Sequence, residues 1–600
     1  MKGRLKSGIV ATALLLPLLS LNGGLTPPRE ALAQDVEAEN YSFFGNRRRT
    51  ARFLTQATFG PKWSEINGLT GTSASEWFVN QTKLETDYAL DIIEEYREAY
   101  QTEEDDINDL IASARNSAWW RNAIEGQDQL RQRMAFALSQ IIVVSDMPEA
   151  VETFPQAVGY VQDIFARHAF GNYRDILEEV TYSPMMGFYL TYLGNEKADP
   201  ETGRMPDENY ARELLQLFTI GLVELKGDGE PKLDLDGNPI ELYTNADITG
   251  LARVFTGLDF AENPRTEDIE EVRPDVWALP MAVYPDLHSP EAKNFLGITI
   301  PEGTGAADSI DKTLDRLMSH RNIGPFIGRQ LIQRFTTSDP APGYVKRVAR
   351  AFNQGRYVLP DGEEVGTGDK GDLMATLAAI LFDGQNRLGS AWRKTDYGKV
   401  REPVIRLTNW ARMFDADGQN PEYAPELFSL GEIGALSQRP YGARSVFNFY
   451  RPGYVPPATL AGARDMTVPE MQLVNATSIP GYINIMAEYI FREEADDEFF
   501  EELQEEFDES DIDVDEAKAR TALVPDYSSL HSIAMDNAAL LKRLDAMLLY
   551  STMSETTKSN IENALEHEFF EEYEDEEVLD EKVRHAVWLI MTSPDYLIQR

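Results

Sequence analysis

Apolar residues recur at intervals of three and four along most of the chain, the spacing of one face of an α-helix. That beat predicts a helix over 52–59, stopped at Gly60-Pro61, and helical spacing from there to about Phe188. Within 129–144, Leu130, Met134, Ala137, Leu138 and Ile141 form the apolar stripe, while Arg131 and Arg133 fall off it. Further helices are expected at 158–165, 173–180 and, after Pro184, 185–193. The densest agreement lies in 205–222. There Pro206 suits a first helical turn, Asp207 and Glu208 put negative charge at the positive end of the dipole, and Gly221 supplies a left-handed stop. Tyr210, Leu214, Leu217 and Phe218 make its apolar face. Glu208 with Arg212, and Asn209 with Glu213, are four apart and so able to meet.

After Leu222 the period changes to two. Leu233 and Leu235, then Ile240 and Leu242, alternate with polar residues around Asp236-Gly237, which predicts a β-hairpin near 230–243. Thr244 and Asp247 then resemble a capping box opening a helix to Gly257. The Pro- and Gly-rich stretch 259–305 reads as an ordered loop region, and helices resume at 309–318, 326–335, 344–352, 372–382 and 398–414. Residues 438–461 are different: turn-rich, aromatic and cationic. Three or four helices fill the last 120 residues. The expected fold is mainly α and multi-helical, with one small hairpin insertion and long ordered loops. It divides as 51–225, 226–305 and 306–600, since 600 residues exceed what one core usually serves.

Composition changes this picture in three ways. Residues 1–33 have the plan of an export signal, with Lys2, Arg4 and Lys6 ahead of an apolar 8–21 and then Ala31-Leu32-Ala33 as a cleavage pattern. The apolar run is short and interrupted by Pro17, so it is not read as a span. Mature chain is expected from Gln34, with 34–50 flexible, in the periplasm, at the cell surface or secreted, without an integral membrane segment. There is no cysteine, hence no disulfide, no thiolate nucleophile and no thiolate metal site. The net charge of −44 excludes nucleic acid as a natural partner. Two segments concentrate the acid: 15 of 24 residues in 493–516 and 10 of 16 in 566–581, both read as solvated faces.

Standard catalytic signatures for serine hydrolases, zinc peptidases and nucleotide binding are missing. Asp228, Asp234 and Asp236 fail the calcium-loop register because Lys232 takes the first ligand position; Asp511, Asp513 and Asp515 fail because Glu516 stands where glycine is needed. No metal and no cofactor is expected. Two groups remain as candidates. In the 205–222 helix, Glu208 and Glu213 are potential acid/base carboxyls beside Asn209 and Arg212, with His288 as a third catalytic candidate; the alternative is that these residues tie helices together. In 439–454, Arg444 and Arg451 stand with Asn448, Tyr450 and Tyr454, a mixture of planar cations and aromatic faces suited to anionic or sugar-containing ligands. The alternative there is that the aromatics pack under the helices and the arginines tie carboxylates.

Several long motifs together resemble one family, the exported bacterial proteins called domain of unknown function 1800. They are Ala51-Arg52-Phe53-Leu54-Thr55-Gln56-Ala57-Thr58-Phe59-Gly60, residues 130–139 (LRQRMAFALS), His168-Ala169-Phe170-Gly171-Asn172-Tyr173 and 206–221. Residues 247–257, His288-Ser289, 320–335, Arg401-Glu402-Pro403, 445–457 and Ser593-Pro594 complete the set. A small departure is Lys370-Gly371-Asp372, where the family usually has arginine first. The resemblance implies an exported, mainly helical protein and a partner from a second exported family, domain of unknown function 1501, which resembles sulfatases and phosphatases. It implies no reaction. Two functions are therefore carried forward. The first is a binding or assembly protein acting with a partner on extracellular polymer, such as an acidic polysaccharide. The second is a hydrolase or lyase of anionic glycans with Glu208 or Glu213 as acid/base and Arg212, Arg444 and Arg451 as substrate clamps. They separate geometrically, because the enzyme requires the glutamates, His288 and the arginines to face one cleft.

Overall fold

Helices form wherever the apolar spacing of three and four is sustained, and the caps decide where they begin. The computed structural model describes residues 43–99, 108–147, 154–262, 269, 272–387, 394, 396–416, 435–491, 523–567, 570 and 577–600. The expected export signal, residues 34–42, acidic segment 493–516 and half of 566–581 lie outside these residues. Helix α1 (Arg47–Ala57) starts earlier than the apolar spacing suggests because the Asn46 side chain accepts the Arg49 N–H and serves as its cap. Then come α2 (Ala89–Ala99), α3 (Asn108–Ile124), α4 (Gln129–Ser139), α5 (Pro155–Arg167) and α6 (Tyr173–Thr181). Beyond a short helix at Pro184–Tyr189, α7 (Asn209–Glu213) continues directly into a π turn, Leu214–Thr219, and α8 (Asn245–Ala252) follows.

Four helices make the middle of the molecule: α9 (Ala306–Ser319), α10 (Ile323–Phe335), α11 (Pro342–Gln354) and α12 (Leu373–Leu381). Helix α10 packs on α11, α12 and α4, so it bridges the early and late parts of the chain. Helix α13 (Pro403–Met413) lies against α3, and both α14 (Ser478–Ile490) and α15 (Asn537–Leu548) pack on α16 (Glu577–Met591). Strands are two or three residues long and pair antiparallel: β1 (Leu258–Asp259) with β2 (Ala282–Val283), β3 (Lys293–Phe295) with β4 (Ile298–Ile300), and β5 (Tyr357–Val358) with β6 (Glu364–Val365). The last pair, β7 (Lys399–Val400) with β8 (Ile598–Gln599), brings the C-terminal strand back to the entrance of α13. Arg52 of α1 seals that corner by donating to the Arg600 carbonyl at 2.7 Å and to Asn386. Most buried apolar side chains form one set from Phe44 to Tyr596, and Ala89, Ile92, Ile93, Ala114 and Ala118 form a second, smaller one between α2 and α3. No described helix is long and apolar enough to cross a membrane.

The hairpin turns at Asp236-Gly237, where the Asp234 carboxylate accepts the N–H groups of Asp236 and Asn238. Its two arms also close on a third segment. Glu224 N–H donates to Ile240 O, Lys232 N–H to Glu224 O and Ile240 N–H to Lys232 O, giving a small three-sided ring of extended chain.

Helix α8 crosses β3 so closely that glycine is required at position 250. A Cβ there would lie 1.9 Å from the Asn294 carbonyl oxygen, a backbone atom that cannot rotate away. Gly250→Ala should destabilise the protein by about 1–3 kcal/mol or more, read as a lowered urea midpoint.

Candidate functional site

The 205–222 segment departs from a simple helix at both ends. Asp207 N–H donates to Asn195 Oδ1, and the Asp207 carboxylate accepts Asn209 N–H, so the turn is pinned and the helix opens at Asn209 rather than Pro206. Glu208 and Arg212 do meet, at 3.2 Å, and the other Glu208 oxygen accepts the Thr249 hydroxyl from α8 at 2.7 Å. Asn209 and Glu213 do not pair; Asn209 Nδ2 turns to Thr191 Oγ1. Glu213 is buried at 7% exposure, and its Oε2 has no hydrogen-bond partner. Burial raises its carboxyl above the ordinary range against the opposing pull of Arg212. The Tyr243 hydroxyl is likewise buried without a partner and feels the Glu213 charge. The π turn begins at the next residue, a helix defect that recurs at functional sites.

His288 is held elsewhere. Its Nδ1 lies 2.8 Å from the Thr256 carbonyl and 3.2 Å from the Thr256 hydroxyl, just past α8, and burial keeps the ring toward its neutral form. No hydrogen bond or ion pair joins it to Glu208 or Glu213.

The cationic, aromatic stretch belongs to a long irregular segment, 435–474, built from turns and two short 3₁₀ turns. Ser437, Tyr441, Asn448, Ala458 and Asp465 all sit at φ between 55° and 60°, a conformation that side chains other than glycine adopt only when their surroundings impose it. The segment divides by side. Tyr450 and Tyr441 point inward and are buried, and Arg439 donates to the buried Asp146 carboxylate at 2.6 Å, which Arg115 also holds. Arg444 and Arg451 are exposed, Arg451 lies over the Phe447 ring at 4.9 Å, and Asn448 and Tyr454 are half-buried between these two sides. Thus Tyr441 and Tyr450 pack inward, while Phe447 and the two arginines remain outside.

Beneath the segment lies a wholly buried charge cluster that helical periodicity does not reveal. Lys399 Nζ stands 3.3 Å from Glu402 Oε1 and 3.4 Å from Glu470 Oε1, and donates to the Arg334 carbonyl at 2.9 Å. The second Glu402 oxygen accepts from Gln140 and from Gln438 Nε2. Ser338 donates to Glu470, and the Tyr450 hydroxyl reaches Gln140. Burial alone would raise the Glu402 carboxyl, but Lys399, Arg133 and Arg334 with the Gln140 hydrogen bond outweigh it and hold the group at about 2. Glu470 moves the other way, since burial there exceeds the pull of Lys399.

The family described as "protein of unknown function (DUF1800)" matches residues 52–598. The chain belongs to this family. No curated protein and no solved structure matches it. In this DUF1800 protein the two expected sites are separate: no hydrogen bond, ion pair or ring contact joins Glu208, Glu213 or His288 to Arg444, Asn448, Tyr450, Arg451 or Tyr454. Four of the stretches that carry the resemblance instead converge on the charge cluster, through Arg133, Arg334, Glu402 and Tyr450. Arg133 was set apart by its place off the α4 stripe, yet it is buried at 3% exposure because α4 is covered on nearly every side.

Glu402 anchors the 435–474 segment as a charged group. Its folded-state carboxyl titrates at about 2, below the ordinary 4.5, so its stabilisation is complete above about pH 4.5 and is lost as pH falls toward 2. Glu402→Gln should cost about 3–5 kcal/mol at neutral pH. Denaturant titrations across pH should show the gap to wild type closing below pH 4.5.

Proposed function

We propose that this DUF1800 protein is an exported binding or assembly protein whose 435–474 segment holds an anionic extracellular polymer, working with a second exported protein of the domain of unknown function 1501 type. One observation carries the reading. A long segment without regular structure is locked by buried carboxylates and five strained residues, and what it presents outward is Arg444, Arg451 stacked on Phe447, and Arg464. A rigid surface that offers guanidinium donors and an aromatic face suits carboxylate- or sulfate-bearing sugars, because little freedom is lost when the ligand docks. The acidity of the rest of the molecule does not oppose this at short range. At physiological ionic strength its field is screened beyond about 8 Å. Arg444→Ala with Arg451→Ala should leave the melting temperature unchanged and weaken binding to a polyuronate by about tenfold or more, one lost charge-assisted pair being worth about 1.5–3 kcal/mol. Undiminished binding by the double variant rejects the site.

A second reading has its own observation: the buried, unpartnered Glu213 carboxyl facing Tyr243 at the start of the π turn. Such a group suits acid/base cleavage of an anionic glycan, with Arg212 near the substrate. Its folded-state carboxyl is raised, so the stability it contributes is present at low pH and is lost as pH rises through that value. Glu213→Gln escapes that loss. The variant should be at least as stable as wild type at pH 8, with the difference vanishing toward pH 4, while any glycan turnover disappears. A lower melting temperature at pH 8 assigns Glu213 to structure instead.

A further inference from the structure

The buried cluster beneath residues 435–474 holds more positive charge than its carboxylates answer. Arg133, Arg334 and Lys399 face Glu402 and Glu470, and the buried Arg401 and Arg406 stand alongside. Unbalanced charge in a dry interior is strongly unfavourable unless something pairs with it. The donors point to where the imbalance sits. Arg133 uses Nη2 on the Arg334 carbonyl, and Arg334 uses Nη2 on the Gln140 carbonyl at 3.4 Å. Nε and Nη1 of both guanidinium groups are buried and have no acceptor among the described residues. Their faces are covered by rings: Phe335 at 5.0 Å, Phe136 at 5.7 Å and Phe59 at 5.9 Å for Arg133, and Tyr450 at 4.8 Å for Arg334.

We propose that Arg133 and Arg334 together hold a small monovalent anion of halide size, which accepts from their vacant Nε and Nη1 donors and supplies the missing negative charge. A spherical, weakly hydrated ion fits this setting because it asks only for N–H donors and tolerates aromatic neighbours. An oxyanion such as phosphate would place further acceptor oxygens beside Glu402 and Glu470, where carboxylates already repel them. The ion would lie behind Tyr450, whose ring covers Arg334, and so completes the base on which the outer segment rests. The inference stands apart from the ligand proposed for the outer face.

Crystals of the mature chain grown in sodium bromide decide it, with diffraction collected at the bromine absorption edge. An anomalous peak between the Arg133 and Arg334 guanidinium groups is expected; a water or an oxyanion in that place overturns the proposal, whether or not any polymer binds outside. In solution the melting temperature should rise by about 2 °C or more when sodium gluconate is replaced by sodium bromide at constant ionic strength, in proportion to the logarithm of bromide concentration. Arg334→Gln should abolish that dependence. Identical melting curves of wild type in the two salts also overturn the proposal. If the variant does not fold, the bromide map of the wild type still gives the answer.

Discussion

Everything about the 435–474 segment depends on the Lys399–Glu402 contact being sealed from water. Lys399 belongs to β7 and Glu402 precedes α13, so the pair sits where the C-terminal strand, α13 and the C-terminal end of α10 meet. Once dehydrated, a charged pair must have each remaining lone pair and proton answered, or the fold loses more than it gains. Gln140 from the end of α4, Gln438 from the irregular segment and the Arg334 carbonyl from α10 provide those answers. A segment with no α-helix or sheet of its own is thereby held by electrostatics in place of a backbone ladder. That is why residues such as Asn448 and Tyr441 can be kept at positive φ, each at a cost of about 1–2 kcal/mol.

The helices were legible in the sequence because most of them bury one face and leave the other wet, which is the condition that writes a 3.6-residue period into a chain. One cap was legible as well: Thr244 with Asp247 forms the capping box that its residue types dictate. The 205–222 helix was misjudged at its start because Asn195, from an earlier loop, captures Asp207 N–H, a long-range contact no local pattern records. Its π turn was illegible for a related reason. Inserting one residue into the helical ring buries Leu215 and Thr219 along with the expected Tyr210, Leu214 and Phe218, and periodicity assumes a constant turn.

The charge cluster was the larger omission, and its cause is physical. Reading a helix by period treats a charge as a marker of solvent. Arg133, Arg334, Arg401 and Glu402 break that assumption together, since each is buried only because the others and a set of aromatic rings are there. Their burial is a property of four distant segments meeting, and no single segment contains it. The sequence did place Tyr450 and Arg444 in one motif, but not the difference that matters between them, namely that one faces the cluster and the other faces solvent.

Two buried glutamates show how the same residue type separates into structure and chemistry. Glu402 has a lysine on one oxygen and two amide donors on the other, with Arg133 and Arg334 nearby, so burial is overruled and the group stays charged. Such a carboxylate has no proton to give and no lone pair to spare; it can only hold. Glu213 has one half-exposed arginine nearby and an unpartnered oxygen, so burial prevails and its proton is retained toward higher pH. No group among the described residues donates to that oxygen, and an unsatisfied buried acceptor carries a cost that packing alone does not explain. The two groups thus divide the molecule's candidate roles. The cluster around Glu402 holds the segment that carries the outward arginines, while Glu213, beside Tyr243, is a glutamate that burial leaves closer to its protonated form.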